Sequence, residues 1–249
     1  MNLDVVTELL REPTSVAERC ERPEGLRELS LSSLACLLFG AAAFGAVVGS
    51  FRGGLQIGFS AVKLPLALLS TLVVSVPAFF ALTVGFGGSA RFRTVASLAL
   101  AASARGALVL LGCAPLLWLA VDRGLGYHAS VLLATAIYLA SGMAALGIVL
   151  RGLGGLTSRA LVTAAACGLV FFGVLGQTAW MLRPFFGRPS QHTVPFVRAR
   201  EGTFADAIVK SGRSAAGNYD SDRNSRHRGS EALDIDDESA AERVPESSP

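Results

Sequence analysis

Five long apolar runs decide what this chain can fold into. Each holds about 20 residues or more, the length that an α-helix needs to cross the hydrocarbon core of a bilayer. No water is present there to pair with the backbone, so a single run satisfies its N–H and C=O groups only as a helix. The runs lie at 31–50, 64–86, 95–121, 129–150 and 160–182. The sequence therefore predicts an all-α, polytopic integral membrane protein with five transmembrane helices.

The charged residues divide the chain in the same way. Residues 31–182 hold eight Lys or Arg and a single acid, Asp122, whereas seven acids lie in 1–30 and eleven in 183–249. Basic residues at the ends of apolar runs are typical of membrane flanks. The net charge of +3 is therefore no sign of nucleic-acid binding. We expect the lipid bilayer to surround the central part, and protein partners to bind the charged ends.

The sequence predicts four parts. They are an N-terminal polar segment at 1–28, a five-helix membrane domain at 29–183, an interfacial collar at 184–211 and a disordered tail at 212–249. The first residues, MNLDVVTELLR, predict a short amphipathic helix on the membrane or on the protein. We expect 12–28 to be a connector. Segment 51–62 is too polar and Gly-rich for another span, and we expect a loop or a short interfacial helix there.

Two prolines and a lysine give the second run an unusual composition for a transmembrane helix. Pro65 is expected in the first turn of its helix, where a missing N–H costs nothing, with Lys63 reaching the lipid headgroups. Pro77 falls in mid-span, where it removes a backbone hydrogen bond and kinks the helix. The kink is either a hinge or cavity wall, or a static bend that improves packing. Nearby hydroxyls such as those of Thr71 and Ser75 are candidates to bind the freed carbonyl.

Arg105 is the residue that most invites a functional interpretation. It lies well inside the third run, where an arginine costs at least about 2.5 kcal/mol, and none of the five runs holds a carboxylate to pair with it. Ser103, Gln177, carbonyls freed by Pro77 and lipid phosphate are the candidate partners. Arg105, Pro77 and Gln177 thus form a candidate polar site in the membrane, for an anion or a lipid headgroup. The alternative is an arginine that reaches the interface by snorkelling.

Glycines recur at a spacing of four along the end of the first run. Gly45, Gly49 and Gly53 form a GxxxGxxxG pattern, and small residues at this spacing let two helices approach closely. The pattern predicts helix packing, either within the bundle or between two copies of the chain.

No combination of residues indicates catalysis. The sequence lacks a P-loop, an HExxH, a GxSxG and a Gly-rich dinucleotide turn. The four cysteines show neither CxxC nor Cys/His spacing, so neither a metal site nor a disulfide framework is predicted. No Asp, Glu or His lies inside a run, which disfavours proton-coupled transporters and intramembrane proteases. We predict that the protein is not an enzyme and uses no cofactor or metal.

Two stretches resemble a known group of proteins. FRGGLQIGFSAVKLPLALLSTLVVSVPAFFAL and QTAWMLRPFFGRP resemble uncharacterised bacterial multi-span proteins that are similar to the Yip family of five-span membrane proteins. The motifs are KLP(x11)P at 63–77 and QxAWxLRPFxGxP at 177–189. The collar at 194–208 is also similar, except that Phe204 stands where the group has a tryptophan. The resemblance implies five spans, a cytoplasmic N-terminus, the bacterial inner membrane and no catalytic activity.

These observations lead to two functional hypotheses. The first is a non-enzymatic protein of the cell membrane that organises the membrane or recruits partners through its tails. The second is a small permease or a lipid- or anion-binding membrane protein that uses Arg105 and the Pro77 kink. The positive-inside rule does not orient the chain, because basic residues are divided almost equally between the two sides.

Overall fold

The computed structural model describes residues 3–182 and Phe185, except for the side chains of Tyr127 and His128. In this part of the chain there are seven helices and no strand. They are α1 Leu3–Arg11, α2 Pro13–Glu21, α3 Leu26–Ser50, α4 Leu55–Gly85, α5 Phe92–Asp122, α6 Tyr127–Gly152 and α7 Ser158–Leu182. Helices α3 to α7 are long and apolar enough to cross a membrane. The predicted five-span, all-α fold is confirmed. Apart from Phe185, the predicted collar and tail lie outside the described residues.

The second span differs most from its prediction. Segment 51–62 is mostly helical, because α4 begins at Leu55 after a tight turn at Gly53 and Gly54, whose φ angles are 81° and 59°. Pro65 therefore lies inside the helix, and its predicted place in the first turn is wrong. Lys63 is fully buried, so its predicted contact with headgroups is also wrong. The added turns carry polar side chains that face the bundle interior, a position that hydropathy alone does not predict.

Pro77 lies inside α4, as predicted. Its ring removes the N–H that would pair with the carbonyl of Val73. The hydroxyl of Thr71 donates instead to the carbonyl of Ala67, at 2.7 Å, and Ser75 Oγ has no partner among the described residues. Neither hydroxyl therefore supports the freed carbonyl as the sequence suggested.

The predicted connector at 12–28 is largely a helix. Pro13 occupies the first turn of α2, a position that needs no backbone N–H. Helix α1 occupies the predicted amphipathic segment, and Glu8 joins the two helices by accepting hydrogen bonds from Ser15 and Arg19. We call α1 and α2 together the N-terminal helix pair. The pair packs against the membrane domain, since α1 contacts α3 and α5 while α2 contacts α3, α5 and α6.

Glycines set the closest helix contacts of the bundle. A Cβ atom added at Gly45 or Gly49 of α3 would lie under 3.0 Å from the backbone carbonyl of Ser60 or Gln56 in α4. Gly40 is equally close to the Ala107 carbonyl of α5. Gly53 follows the end of α3, in the turn, and a Cβ atom there would meet nothing within 4 Å. Gly45 and Gly49, the first two glycines of the GxxxGxxxG pattern, thus allow close contact between α3 and α4 within one chain.

Candidate polar sites in the membrane domain

The two stretches that carry the family resemblance approach each other at one end of the bundle. Successive spans alternate in direction, so α4 begins where α7 ends. Gln56 Nε2 donates to the carbonyl of Phe185 at 2.8 Å, and Ser60 Oγ donates to the same carbonyl at 2.9 Å. Gln56 Nε2 also lies 3.1 Å from Ser60 Oγ. We call Gln56, Ser60 and the Phe185 carbonyl the polar clamp.

The polar clamp arises from one face of α4. Gln56, Ser60 and Lys63 are spaced by four and then three residues, which places them on the same side of a helix. All three are fully buried. Burial of such groups requires hydrogen-bond partners, and the clamp supplies them for Gln56 Nε2 and Ser60 Oγ. Sequence reasoning missed this cluster because it placed segment 51–62 outside the second transmembrane helix. The helical spacing of Gln56, Ser60 and Lys63 is the signal that could have found it.

We expect the clamp to contribute measurably to stability. The double variant Gln56→Leu with Ser60→Ala removes both hydrogen bonds to the Phe185 carbonyl and the bond between the two side chains. The expected cost is about 1–3 kcal/mol, seen as a lower unfolding midpoint in detergent micelles. Ser50→Ala is a matched control, since that hydroxyl donates only to Val47 within its own helix. Equal midpoints for the double variant and the control would contradict a stabilising clamp.

Arg105 lies deep within the membrane domain. At a rise of about 1.5 Å per residue, it stands about 20 Å from the start of α5 and about 25 Å from its end. Arg91 and Arg93 mark the start of this helix and half-exposed Trp118 lies near its end, as residues at the two interfaces do. The hydrocarbon core is about 30 Å thick, so Arg105 falls near its middle. This depth disfavours the snorkelling alternative.

The guanidinium of Arg105 faces α6. Its Nη1 atom is buried and has no hydrogen-bond partner in the part of the chain that the structure describes. A Cβ atom added at Gly147 of α6 would lie 3.6 Å from Nη1. The interhelical hydrogen bond nearby runs from Ser141 Oγ to the Gly106 carbonyl, at 2.8 Å. Arg105 thus lies at the α5–α6 interface without joining its hydrogen bonding.

The structure does not assemble the predicted site of three residues. Pro77 is exposed on the outside of the bundle, in an apolar groove of about 330 Å³ between α4 and α5. The groove is lined by Leu69, Leu72, Val73, Val76, Pro77, Phe92, Ala96 and Leu100. Arg105 is not among these residues. Gln177 lies in α7, and no hydrogen bond joins it to Arg105. Among these three residues, Arg105 with its α6 neighbours is the one that the structure offers as a candidate ligand site.

Titratable side chains form no further constellation in residues 3–182. No three His, Cys, Asp or Glu side chains gather there in a way that could hold a metal ion. Cys20, Cys36 and Cys167 are buried and free, and Cys113 is half-buried and free. Burial raises the pKa of the Cys20 thiol in α2, so this cysteine is an inert packing residue rather than a nucleophile.

Comparisons with known proteins do not assign this geometry to a family. No protein-family model, no curated protein and no solved structure matches the chain. The resemblance to Yip-like proteins therefore depends on the quoted residues alone. What stands is a multi-pass helical membrane protein with a folded N-terminal helix pair, a polar clamp and one unpaired intramembrane arginine.

Proposed function

We propose that the protein is a non-enzymatic membrane protein that recruits a protein partner through its N-terminal helix pair. One observation carries this proposal: the pair is folded onto the membrane domain. Val5, Leu9, Val16 and Cys20 are almost completely buried, which fixes the orientation of both helices. Their opposite faces are therefore presented to the aqueous phase in a defined shape, as a docking surface requires. The proposed location is the bacterial inner membrane.

The exposed face of the helix pair is acidic. Acids outnumber bases among its exposed residues. The exposed acids are Asp4, Glu12, Glu18 and Glu21, and the exposed bases are Arg11 and, just after α2, Arg22, which lies 3.8 Å from Glu18. The basic Arg19 is turned toward Glu8 and paired with it. Helices that lie on a membrane carry Lys and Arg on their polar face. An acidic face is instead repelled by anionic headgroups and suits a partner with a basic segment. The charge thus favours a protein partner over the lipid surface.

Charge reversal tests this proposal. We expect the triple substitution Glu12→Lys, Glu18→Lys and Glu21→Lys to abolish capture of the partner, because it replaces attraction by repulsion. The fold should survive, since all three side chains are exposed. The measurement is quantitative cross-linking and mass spectrometry on intact membranes. A partner must be captured by the wild type, lost with the triple variant and retained with Arg123→Glu, which changes an exposed charge at the opposite end of the bundle. Capture that does not depend on these acids would contradict the proposal.

The C-terminal tail at 212–249 was the second recruiting segment that the sequence suggested. It lies outside the described residues, and its role stays a hypothesis. Deleting 212–249 in the same cross-linking experiment separates the two segments. Recruitment would be assigned to the tail if the deletion abolished capture of the partner while the triple glutamate-to-lysine variant still captured it.

A specific observation also favours the alternative function, a lipid- or anion-binding protein or small permease. It is the buried, unpartnered Nη1 of Arg105. The Pro77 kink gives this alternative no support, because it lies in a separate, apolar groove. The two functions are distinguishable, since Arg105→Leu should leave partner capture by the helix pair unchanged.

A further inference from the structure

We infer that Arg105 and the adjoining face of α6 form a binding site for a phosphate-type anion, supplied either by a lipid headgroup or by free phosphate. The inference is independent of partner recruitment, because the site lies within the bundle. It depends on three observations: the charge of Arg105, the missing hydrogen-bond partner of its Nη1 atom, and the glycine that faces this atom from α6 at position 147.

The charge of Arg105 is permanent. An arginine in a protein stays protonated and offers five N–H donors. A buried cation without a counter-charge is costly in a medium of low dielectric constant. Residues 31–182 contain one acid, Asp122, which lies at the far end of α5. No carboxylate inside a span therefore neutralises Arg105, and the most direct compensation is an anion from outside the chain.

The neighbours of Nη1 leave its hydrogen bonds unmade in the described part of the chain. The carbonyl of Gly106, the next residue of α5, accepts a hydrogen bond from Ser141 Oγ. Gly147 has no side chain to cover the guanidinium from α6, and a Cβ atom there would be in van der Waals contact with Nη1, at 3.6 Å. Arg105 as a whole is half-buried rather than enclosed. Part of the Arg105 side chain is thus accessible to an incoming group, although Nη1 itself is covered.

The donor geometry selects the class of ligand. The planar fork of a guanidinium matches two oxygens of a phosphate or phosphodiester in a bidentate pair. A phospholipid headgroup reaches such a depth where the bilayer thins locally around a buried arginine. Inorganic phosphate offers the same oxygens without acyl chains. The shared chemistry is the tetrahedral oxyanion.

Binding is measured separately for the two sources. Purified wild-type protein is titrated with phosphatidylglycerol and with diacylglycerol of the same acyl chains, and complexes are counted by native mass spectrometry. Inorganic phosphate is titrated in parallel against the thermal midpoint. We expect Arg105→Leu to weaken binding by about tenfold or more, the effect of losing a charge-assisted hydrogen bond. Arg151→Leu, an exposed arginine at the end of α6, should bind as the wild type does.

A second pair of variants keeps the charge. Gly147→Ala places a methyl group beside Nη1 and should also weaken binding, whereas Gly112→Ala meets no neighbour within 4 Å and should not. Loss of phosphatidylglycerol alone indicates a headgroup site, and loss of phosphate alone indicates a small-anion site. The inference is overturned if the wild type binds neither anion. It is equally overturned if Arg105→Leu and Gly147→Ala both bind as the wild type does.

Discussion

Replacing Gly45 or Gly49 by alanine should destabilise the membrane domain strongly. Each new Cβ atom would lie under 3.0 Å from a backbone carbonyl of α4, at Ser60 or Gln56. A backbone cannot swing aside as a flexible side chain does, so the two helices must separate. Overpacking of this kind costs about 1–3 kcal/mol, and we expect the upper end for each substitution.

The measurement is the unfolding midpoint of the purified protein in detergent, and the controls are alanine substitutions at glycines with open surroundings. Gly58 in α4 and Gly112 in α5 meet no neighbour within 4 Å of an added Cβ atom. These two variants should match or exceed the wild-type midpoint, because alanine favours the helix over glycine by up to about 1 kcal/mol. If Gly45→Ala and Gly49→Ala had the same unfolding midpoints as the controls, the close contact between α3 and α4 would be contradicted.

Leu9→Asp should release the N-terminal helix pair from the membrane domain. Leu9 is fully buried, so the change removes about 1.5–3 kcal/mol of apolar burial and adds a carboxylate that has to leave the interface. Leu10→Asp is a matched control, because the adjacent residue is 41% exposed. The five spans should stay folded in both variants, and partner capture should be lost only with Leu9→Asp.

Cys20 reports this release directly. Its thiol is fully buried in the interface, and burial raises the pKa of the thiol. The reactive thiolate therefore becomes populated only at a higher pH than in an unfolded chain, whose cysteine pKa is about 8.5. Alkylation at pH 7.5 (roughly one unit below that value), followed by peptide mass spectrometry, should be slow in the wild type and in Leu10→Asp. It should be fast in Leu9→Asp. Equal rates in the three proteins would show that the helix pair is not docked.

The number of spans was predictable from sequence because hydrocarbon imposes a strong rule on each run separately. Length and apolarity are properties of the run alone, and they needed no knowledge of its neighbours. The boundaries depend on packing and were less predictable. Gln56 lies in a segment that was expected to be a loop or an interfacial helix, and Lys63 was expected at the headgroups, yet both are buried in α4. Their burial depends on contacts such as that with Phe185, 129 residues away from Gln56.

The candidate site was predictable only in part, for a related reason. The energetic cost of Arg105 follows from its position in the run, and that residue was identified. Its neighbours depend on the rotation of α5 about its own axis, which hydropathy does not define. Gln177 and Pro77 were grouped with Arg105 by chemistry, whereas packing places Pro77 in a different groove. The second helix of the N-terminal helix pair, α2, was not predicted from the sequence. Its buried side chains are few, and the residues they pack against lie on other helices.

Cysteine accessibility at loop positions tests the five-span arrangement most directly. The exposed residues Glu24, Ser89 and Thr157 precede or follow spans at one end of the bundle, and exposed Leu55 and Arg123 lie at the other. Each is replaced singly by cysteine and exposed to a membrane-impermeant maleimide in sealed right-side-out and inverted vesicles. We expect the first three to be labelled in one vesicle orientation only, and the last two only in the opposite one. Two results would contradict five membrane-spanning helices. One is labelling of all five positions in the same vesicle orientation, and the other is labelling of either group of positions in both orientations.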